Sequence, residues 1–284
     1  MRPWTAALTV VMATSIAVTG LGAAADAQTA PISPVDALER RLAENRGVAM
    51  SEATTSWRLE EKNAEKPISR RKIRVEFGRG TVTATDSRDV AGSDDPQPPA
   101  RFLKFKGRTY CQGWICPTPE GKTWVLFYED EKTRLFLESG GIELGDPAAL
   151  RAVLATTETR RPGGVYDGTR TTVHQGTITY AELYRTSPAF RDGYGGKPPA
   201  GRDAKVEVSW RLWTGEDQLV RRIRTSRTEW LFGDADIRLH RVVDTRLTGW
   251  DAVTDIPVPS ADETAGRDDW KDEWKDSRAK RPVS

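Results

Sequence analysis

The first patterned stretch after the amino-terminal region has the spacing of a helix. Val35, Leu38 and Leu42 lie three and four residues apart, which places them on one helical face. The pattern predicts a helix that begins at Ser33 or Pro34 and continues to about Met50.

After Gly47 the hydrophobic positions recur every second residue. Trp57 and Leu59 alternate with polar neighbours, and the same alternation runs through residues 72–77. It is typical of strands that bury one face and leave the other in water. Further strands are predicted at residues 81–85, 101–105 and 124–128.

The second half of the chain repeats this alternation over longer stretches. Asp146 and Pro147 have the order of a cap and a first-turn proline, and predict a helix over residues 146–156. A short helix is expected to begin near Tyr180, and residues 215–217 are predicted to form a hairpin turn. Long strands are predicted at residues 170–179, 205–213, 219–229 and 236–248.

Antiparallel strands therefore dominate, and the predicted fold class is α+β. Eight or more alternating strands are expected to curl, because an open twisted sheet of that size rarely stays flat. We expect a half-open curled antiparallel β-sheet, an incomplete barrel, with two or three helices across its concave side.

The amino-terminal stretch has the features of an export signal. Arg2 precedes an apolar run over residues 6–24, and Ala25-Asp26-Ala27 matches the small-x-small cleavage pattern. An uncleaved membrane anchor is the alternative. No cysteine directly follows the run, so a lipidated amino terminus is not expected, and the predicted location is secreted or extracytoplasmic.

These features divide the chain into four parts. Residues 1–27 are predicted as the signal peptide, 28–34 as a linker, 35–263 as one domain and 264–284 as a charged tail. Trp270 and Trp274 lie four residues apart in the tail and would share one face of a helix. Such a helix would dock on the domain or contact a membrane surface; a disordered end is the alternative.

Composition excludes one class of partner. The chain has 43 Lys and Arg against 41 Asp and Glu, a formal net charge of +2. A nucleic-acid-binding protein usually has a strong basic excess, so no nucleic-acid partner is predicted.

The two cysteines, Cys111 and Cys116, are expected to form a disulfide in an oxidising compartment. A zinc or redox role is the alternative, but a zinc site needs about four ligands and the only histidines are His174 and His240. No metal or cofactor is therefore predicted. The sequence has no nucleophile elbow, paired-histidine motif or phosphate-binding glycine loop, and we expect no enzyme.

Several short motifs follow one another in an order that is more specific than any of them alone. The motifs are Asp146-Pro147-Ala148-Ala149-Leu150, Asp167-Gly168-Thr169-Arg170-Thr171, Gly176-Thr177-Ile178, Trp210-Arg211-Leu212-Trp213, Val220-Arg221 and residues 244–250, before an exit with Pro257 and Pro259. With these motifs in this order, the chain resembles actinobacterial secreted proteins of the lipoprotein-carrier superfamily and is similar to mycobacterial glycolipid-binding lipoproteins.

This resemblance implies a lipid or glycolipid ligand whose acyl chains are buried in an apolar cavity, without catalysis. An envelope sensor of the same fold that binds a membrane signalling protein is the alternative function. The alternation predicts these lining residues: Trp57, Leu59, Ile73, Val75, Phe77, Leu103, Phe105, Trp124, Leu126, Val206, Val208, Trp210, Ile223, Ile237 and Leu239. The same residues would equally form a filled core, since a sequence pattern does not distinguish a lining from a packed interior.

Overall fold

A computed structural model describes residues 32–42, 46–59, 69–90, 98–131, 134–230, 238–266 and 269. All of them belong to one compact unit, Ile32–Ser284. The predicted signal peptide, most of the predicted linker and most of the tail, with both of its tryptophans, lie outside the described residues. Within the described part, no helix is both long and apolar enough to cross a membrane.

Each helix begins at a residue whose side chain caps it. Ser33 and Asp36 form a reciprocal capping box at the first helix, and Thr179 and Glu182 form another at the third. Asp146 and Ser187 cap the other two, each followed by proline. The α-helices are α1 (Pro34–Arg41), α2 (Pro147–Ala155), α3 (Tyr180–Thr186) and α4 (Pro188–Gly193), and a 3-10 turn spans Asp203–Lys205.

The strands account for most of the described chain. They are β1 (Arg46–Arg58), β2 (Ser69–Gly78), β3 (Thr81–Asp89), β4 (Arg101–Phe105), β5 (Arg108–Gln112), β6 (Trp124–Glu129), β7 (Glu138–Ser139), β8 (Ile142–Glu143), β9 (Thr157–Tyr166), β10 (Thr169–Thr179), β11 (Glu207–Thr214), β12 (Val220–Trp230), β13 (Arg238–Val253) and β14 (Thr264–Ala265).

Twelve of these strands form one sheet in the order β14-β6-β5-β4-β3-β2-β1-β13-β12-β11-β10-β9. Neighbouring strands run antiparallel except for β14 and β6, which run parallel. The sheet is curled and unclosed, because β14 and β9 lie at opposite edges. The predicted fold class is confirmed, although the described chain has four α-helices and not two or three.

One face of the sheet, which we call the inner face, packs against the helices. It carries Met50, Val75, Trp210 and Leu247, which share a cluster with residues of α1, α2 and α3. The opposite, outer face carries Ser51, Lys72 and Arg246, because successive strand residues point to opposite sides.

The outer face has a cover of its own near β3–β6. Ala84, Leu103, Tyr110 and Trp124 form a second hydrophobic cluster with Ile256, which follows the end of β13. The Ile256 amide donates a hydrogen bond of 3.0 Å to Glu76 Oε2 on β2. This part of the sheet is therefore covered on both faces.

The first helix is shorter than the sequence pattern predicts. It ends at Arg41, and β1 already begins at Arg46. The Leu42 carbonyl accepts a 3.0 Å hydrogen bond from Gly80, which turns the chain toward the sheet. At Gly47 a Cβ would lie 2.2 Å from the Val75 carbonyl oxygen, so the close approach of β1 to β2 requires glycine here.

The predicted disulfide is confirmed. Cys111 on β5 is bonded to Cys116, with 6.0 Å between the Cα atoms. Both cysteines are fully buried and pack with Val125 and Ala265. The bond therefore fastens the turn after β5 at the end of the sheet where β14 pairs with β6.

Candidate functional site

A cavity of about 570 Å³, which we call the main cavity, lies between the inner face of β2–β6 and residues 134–138, which we call the crossing segment. Its walls come from strands whose alternate residues face inward, together with α4 and the segment that crosses above them. The lining residues are Met50, Arg71, Ile73, Val75, Thr85, Ser87, Phe102, Lys104, Thr109, Phe127, Tyr128, Arg134, Leu135, Phe136, Glu138, Ala189 and Gly193.

Apolar side chains form a large part of this lining. Ile73 and Val75 come from β2 and Phe102 from β4, while Leu135 and Phe136 lie above them on the crossing segment. Met50 and Val75 also belong to the main hydrophobic cluster. Part of the apolar wall therefore borders the core of the molecule.

Charged groups form another part of the lining. The Arg71 guanidinium pairs with the Glu52 carboxylate, its Nε lying 3.1 Å from Oε1. Burial, and then the nearby charge of Arg71, lowers the pKa of Lys104, while Glu138 opposes this shift. Burial raises the pKa of Glu138, which has accessible surface in the cavity but is surrounded by protein. A polar or ionised group of a bound molecule would meet partners of both signs here.

Hydrogen bonds hold the hairpin of β7 and β8 against the sheet beside this cavity. Ser139 Oγ lies 2.6 Å from Thr245 Oγ1, and Thr245 donates to Glu52 Oε2 at 3.2 Å. Arg227 Nη1 donates to the Gly140 carbonyl at 3.0 Å. These contacts involve side chains with little exposure to water, so the hairpin has a fixed position relative to the sheet.

A second cavity, of about 460 Å³, lies on the other side of the crossing segment. Arg134, Leu135 and Phe136 line both cavities and form the partition between them. The far walls of the second cavity include Val82, Lys106, Gly145 and Pro188.

The structure divides the predicted lining residues among several places. Ile73 and Val75 line the main cavity. Leu239 is half-buried on the inner face, and Ile237 lies outside the described residues. Phe77, Val206, Val208, Trp210 and Ile223 lie in the main hydrophobic cluster, where they pack against helices and neighbouring strands.

Six further predicted lining residues lie on the outer face or just beyond the end of β1. Leu103, Phe105, Trp124 and Leu126 pack in the cluster on the outer face. Trp57 is also on the outer face, with its ring centroid 4.5 Å from that of His240, and Leu59 is 40% exposed. The alternation identified two-sided strands correctly, but it carries no information about which side faces the cavity.

For several of the lining residues, the amino-acid sequence has no pattern that identifies them as part of a cavity. Phe102 and Lys104 alternate with Leu103, so they belong to the opposite face of a strand that the sequence did predict. Residues 134–136 have no regular secondary structure and no periodic pattern. Phe102 could have been identified by considering both faces of β4, whereas the crossing segment depends on tertiary contacts.

Both histidines lie beside hydroxyl groups of neighbouring strands. His174 is buried, with Nε2 3.4 Å from Thr214 Oγ1, and burial followed by the charge of Arg160 lowers its pKa. His240 Nδ1 lies 2.9 Å from Thr228 Oγ1. Among the described residues, no three His, Cys, Asp or Glu side chains are placed to hold a metal ion.

No protein-family model and no curated protein matches this chain. Among solved structures, LprF from Mycobacterium bovis is similar over 80% of this chain and 95% of its own, at 17% sequence identity and a TM-score of 0.45. A LolA superfamily protein from Nitrosomonas europaea is similar over 80% of this chain and 96% of its own, at 11% identity and a TM-score of 0.27. A DUF1329 family protein from Desulfovibrio piger is similar over 82% of this chain and 98% of its own, at 12% identity and a TM-score of 0.26.

The order of the sequence motifs predicts a lipoprotein-carrier-like fold. The described chain has the architecture expected from that resemblance, an unclosed curled sheet with helices on its inner face. The actinobacterial source stays a prediction.

Proposed function

We propose that the protein binds a lipid or glycolipid and carries it in the cell envelope, without catalysis, by burying acyl chains in the main cavity. The observation that supports this function is the 570 Å³ space between the inner face of the sheet and residues 134–138, with the apolar side chains that line it. Its volume lies within the range of ~300–1000 Å³ that is usual for small-molecule sites.

The energetics favour a hydrocarbon guest for this space. Each methylene that leaves water contributes about 0.8 kcal/mol, so a soluble carrier must offer an apolar surface comparable to a bilayer interior. Phe102, Phe127 and Phe136 together with Ile73 and Leu135 supply such a surface. Arg71, Lys104 and Glu138 lie at the same cavity and suit the polar end of an amphipathic molecule.

An extracytoplasmic location is part of the proposal. The Cys111–Cys116 disulfide is typical of proteins from oxidising compartments. The predicted signal peptide, with cleavage after Ala27, would deliver the chain there. Mass determination of the mature amino terminus tests this part separately.

Lipid extraction and a cavity-filling variant test the binding itself. Purified protein is extracted with organic solvent for mass spectrometry, and uptake of a fluorescent fatty-acyl probe is titrated. Ser87→Trp places an indole in the cavity, whereas Ser209→Trp places one at an exposed strand position of β11. We expect the first variant to weaken probe binding at least about tenfold and the second to leave it unchanged.

Thermal unfolding of both variants separates loss of space from loss of fold. A Ser87→Trp protein that stays folded yet binds the probe normally would contradict the proposed cavity. Purified protein that yields no lipid and takes up no probe would contradict lipid carriage altogether. If the purified protein instead retained one defined membrane protein, the sensor function would replace lipid carriage as the proposed function.

A further inference from the structure

A lateral row of basic side chains crosses the outer face of the sheet. The strand registers place one residue of each of six adjacent strands in this row, from β12 through β13, β1, β2 and β3 to β4. The residues of this row, which we call the basic row, are Arg222, Arg246, Ser51, Lys72, Arg88 and Arg101. Neighbouring strands are about 4.8 Å apart, so the row extends over roughly 24 Å.

Like charges lie directly opposite one another along this row. Arg222 pairs with Arg246 in the register, and Arg88 lies between Lys72 and Arg101. Like charges at directly opposite positions destabilise a sheet. The arrangement therefore destabilises the folded sheet by itself. Such an arrangement is expected of a surface that binds an anion.

Two acidic residues organise part of the basic row without neutralising it. Asp86 accepts hydrogen bonds from Arg101 Nε at 2.8 Å and from Arg74 Nη2 at 2.7 Å. Asp244 pairs with Arg222. Lys72, Arg88 and Arg246 are exposed, and within the described part of the chain none of the three forms an ion pair.

The middle of the basic row is recessed. A depression of about 660 Å³ is lined by residues of five neighbouring strands. The lining residues are Ala49, Met50, Ser51, Lys72, Ile73, Arg74, Asp86, Arg88, Arg101, Arg246 and Thr248. Five of these are cations and one is an acid, so the recess carries a local positive excess that the net charge of +2 for the whole chain does not reveal.

We propose that the recess and the basic row bind an extended polymer chain that carries repeated phosphate groups. The row is much longer than one phosphate, and the fork of each arginine matches phosphate oxygens. A bilayer surface fits less well, because membrane-surface binding adds inserted apolar side chains. None of the strongly exposed large hydrophobic residues in the described chain lines this recess. Nucleic acid is also disfavoured, since single strands are held by exposed aromatic rings, which the described recess does not have.

The charged side chains of this site lie on the face of the strands opposite to the lipid cavity, although Met50 and Ile73 border both spaces. Ile73 and Val75 point toward the cavity, whereas Lys72 and Arg74 point away from it. The two proposals therefore fail or succeed separately.

Long-chain inorganic polyphosphate, fluorescently labelled, is the probe for this site. Binding to the mature protein is titrated at increasing salt, with orthophosphate, anionic phospholipid vesicles and double-stranded DNA as competitors. The test variant is Lys72→Glu with Arg88→Glu, and the control is Lys197→Glu with Lys205→Glu, two exposed lysines outside the row that give the same change of net charge.

We expect polyphosphate to bind with a marked salt dependence and the row variant to lose at least about tenfold in affinity at low salt. The control variant should keep its affinity. In the row variant the 88–101 pair becomes one of opposite charge, while the 72–88 pair stays one of like charge, so its unfolding temperature should stay close to that of the natural protein. Equal affinities of the two variants for polyphosphate, or stronger competition by vesicles or DNA than by unlabelled polyphosphate, would overturn the proposal.

Discussion

Glu138 combines a place on the cavity wall with an unusual electrostatic environment. Burial raises its pKa most; the hydrogen bond from the Gly141 amide lowers it, and the Glu52 carboxylate raises it further. Folding therefore favours the protonated carboxyl. The stabilisation that comes from this protonated carboxyl is fully present at pH values below its ordinary pKa of 4.5. It is lost as the pH rises through the higher pKa of Glu138 in the folded protein.

Replacement of Glu138 by glutamine should remove this pH dependence. Relative to the natural protein, Glu138→Gln should gain free energy of unfolding as the pH is raised from about 4 to about 8, because the amide does not ionise. Urea denaturation at several pH values measures the difference. Glu120→Gln, at an exposed position, is the control and should show no such trend. A constant difference between Glu138→Gln and the natural protein would contradict this account.

Local sequence signals were sufficient for the elements whose ends are defined by caps and turns. The Asp146-Pro147 pair predicted α2, and the long alternating stretches predicted β10, β11, β12 and β13. The strands β5 and β9 had no such signal. In β9, residues 158–162 are exposed and polar or proline, so the strand depends on its pairing with β10 and not on an apolar face. Cooperative pairing of this kind is invisible in a local pattern.

The cap of α2 provides a test at the scale of one element. Asp146 Oδ1 accepts hydrogen bonds from the amides of Ala148 at 2.7 Å and Ala149 at 3.1 Å. Asp146→Ala should lower the free energy of unfolding by about 1 kcal/mol, whereas Asp146→Asn should retain most of the stability. Chemical denaturation of the two variants compares them. If both lost the same stability, the negative charge near the helix would matter more than the cap geometry.

At the scale of the whole molecule, the sequence did not predict which face of the sheet lines the cavity. The sequence predicted a curled sheet and an apolar interior, but the chain buries hydrophobic residues on both faces of β3–β6. Leu103 and Trp124 therefore serve the outer cluster, while Phe102 and Phe127 serve the cavity. The cover of each face comes from Ile256 and from residues 134–136, which lie outside the strands and have no periodic pattern of their own.

Truncation tests the role of the segment that follows β13. A chain that ends at Val253 lacks Ile256 and β14 and would leave Trp124 and its neighbours uncovered. It should lose at least about 3 kcal/mol of stability and show a red-shifted tryptophan emission. A chain that ends at Gly266 lacks the same tail tryptophans but keeps the cover, and it is the matched control. Equal stability of the two truncated chains would show that the segment is dispensable.

The strand β9 forms one edge of the sheet, and its sequence affects whether a second chain can pair with that edge. Its sequence includes Arg160, Arg161 and Pro162, and proline has no amide hydrogen to donate to an added strand. Charged side chains and proline at a free border discourage a second chain from extending the sheet by β-pairing. An unclosed sheet of twelve strands thereby gains protection against fibrous self-association on this side, without the ring closure by which barrels solve the same problem.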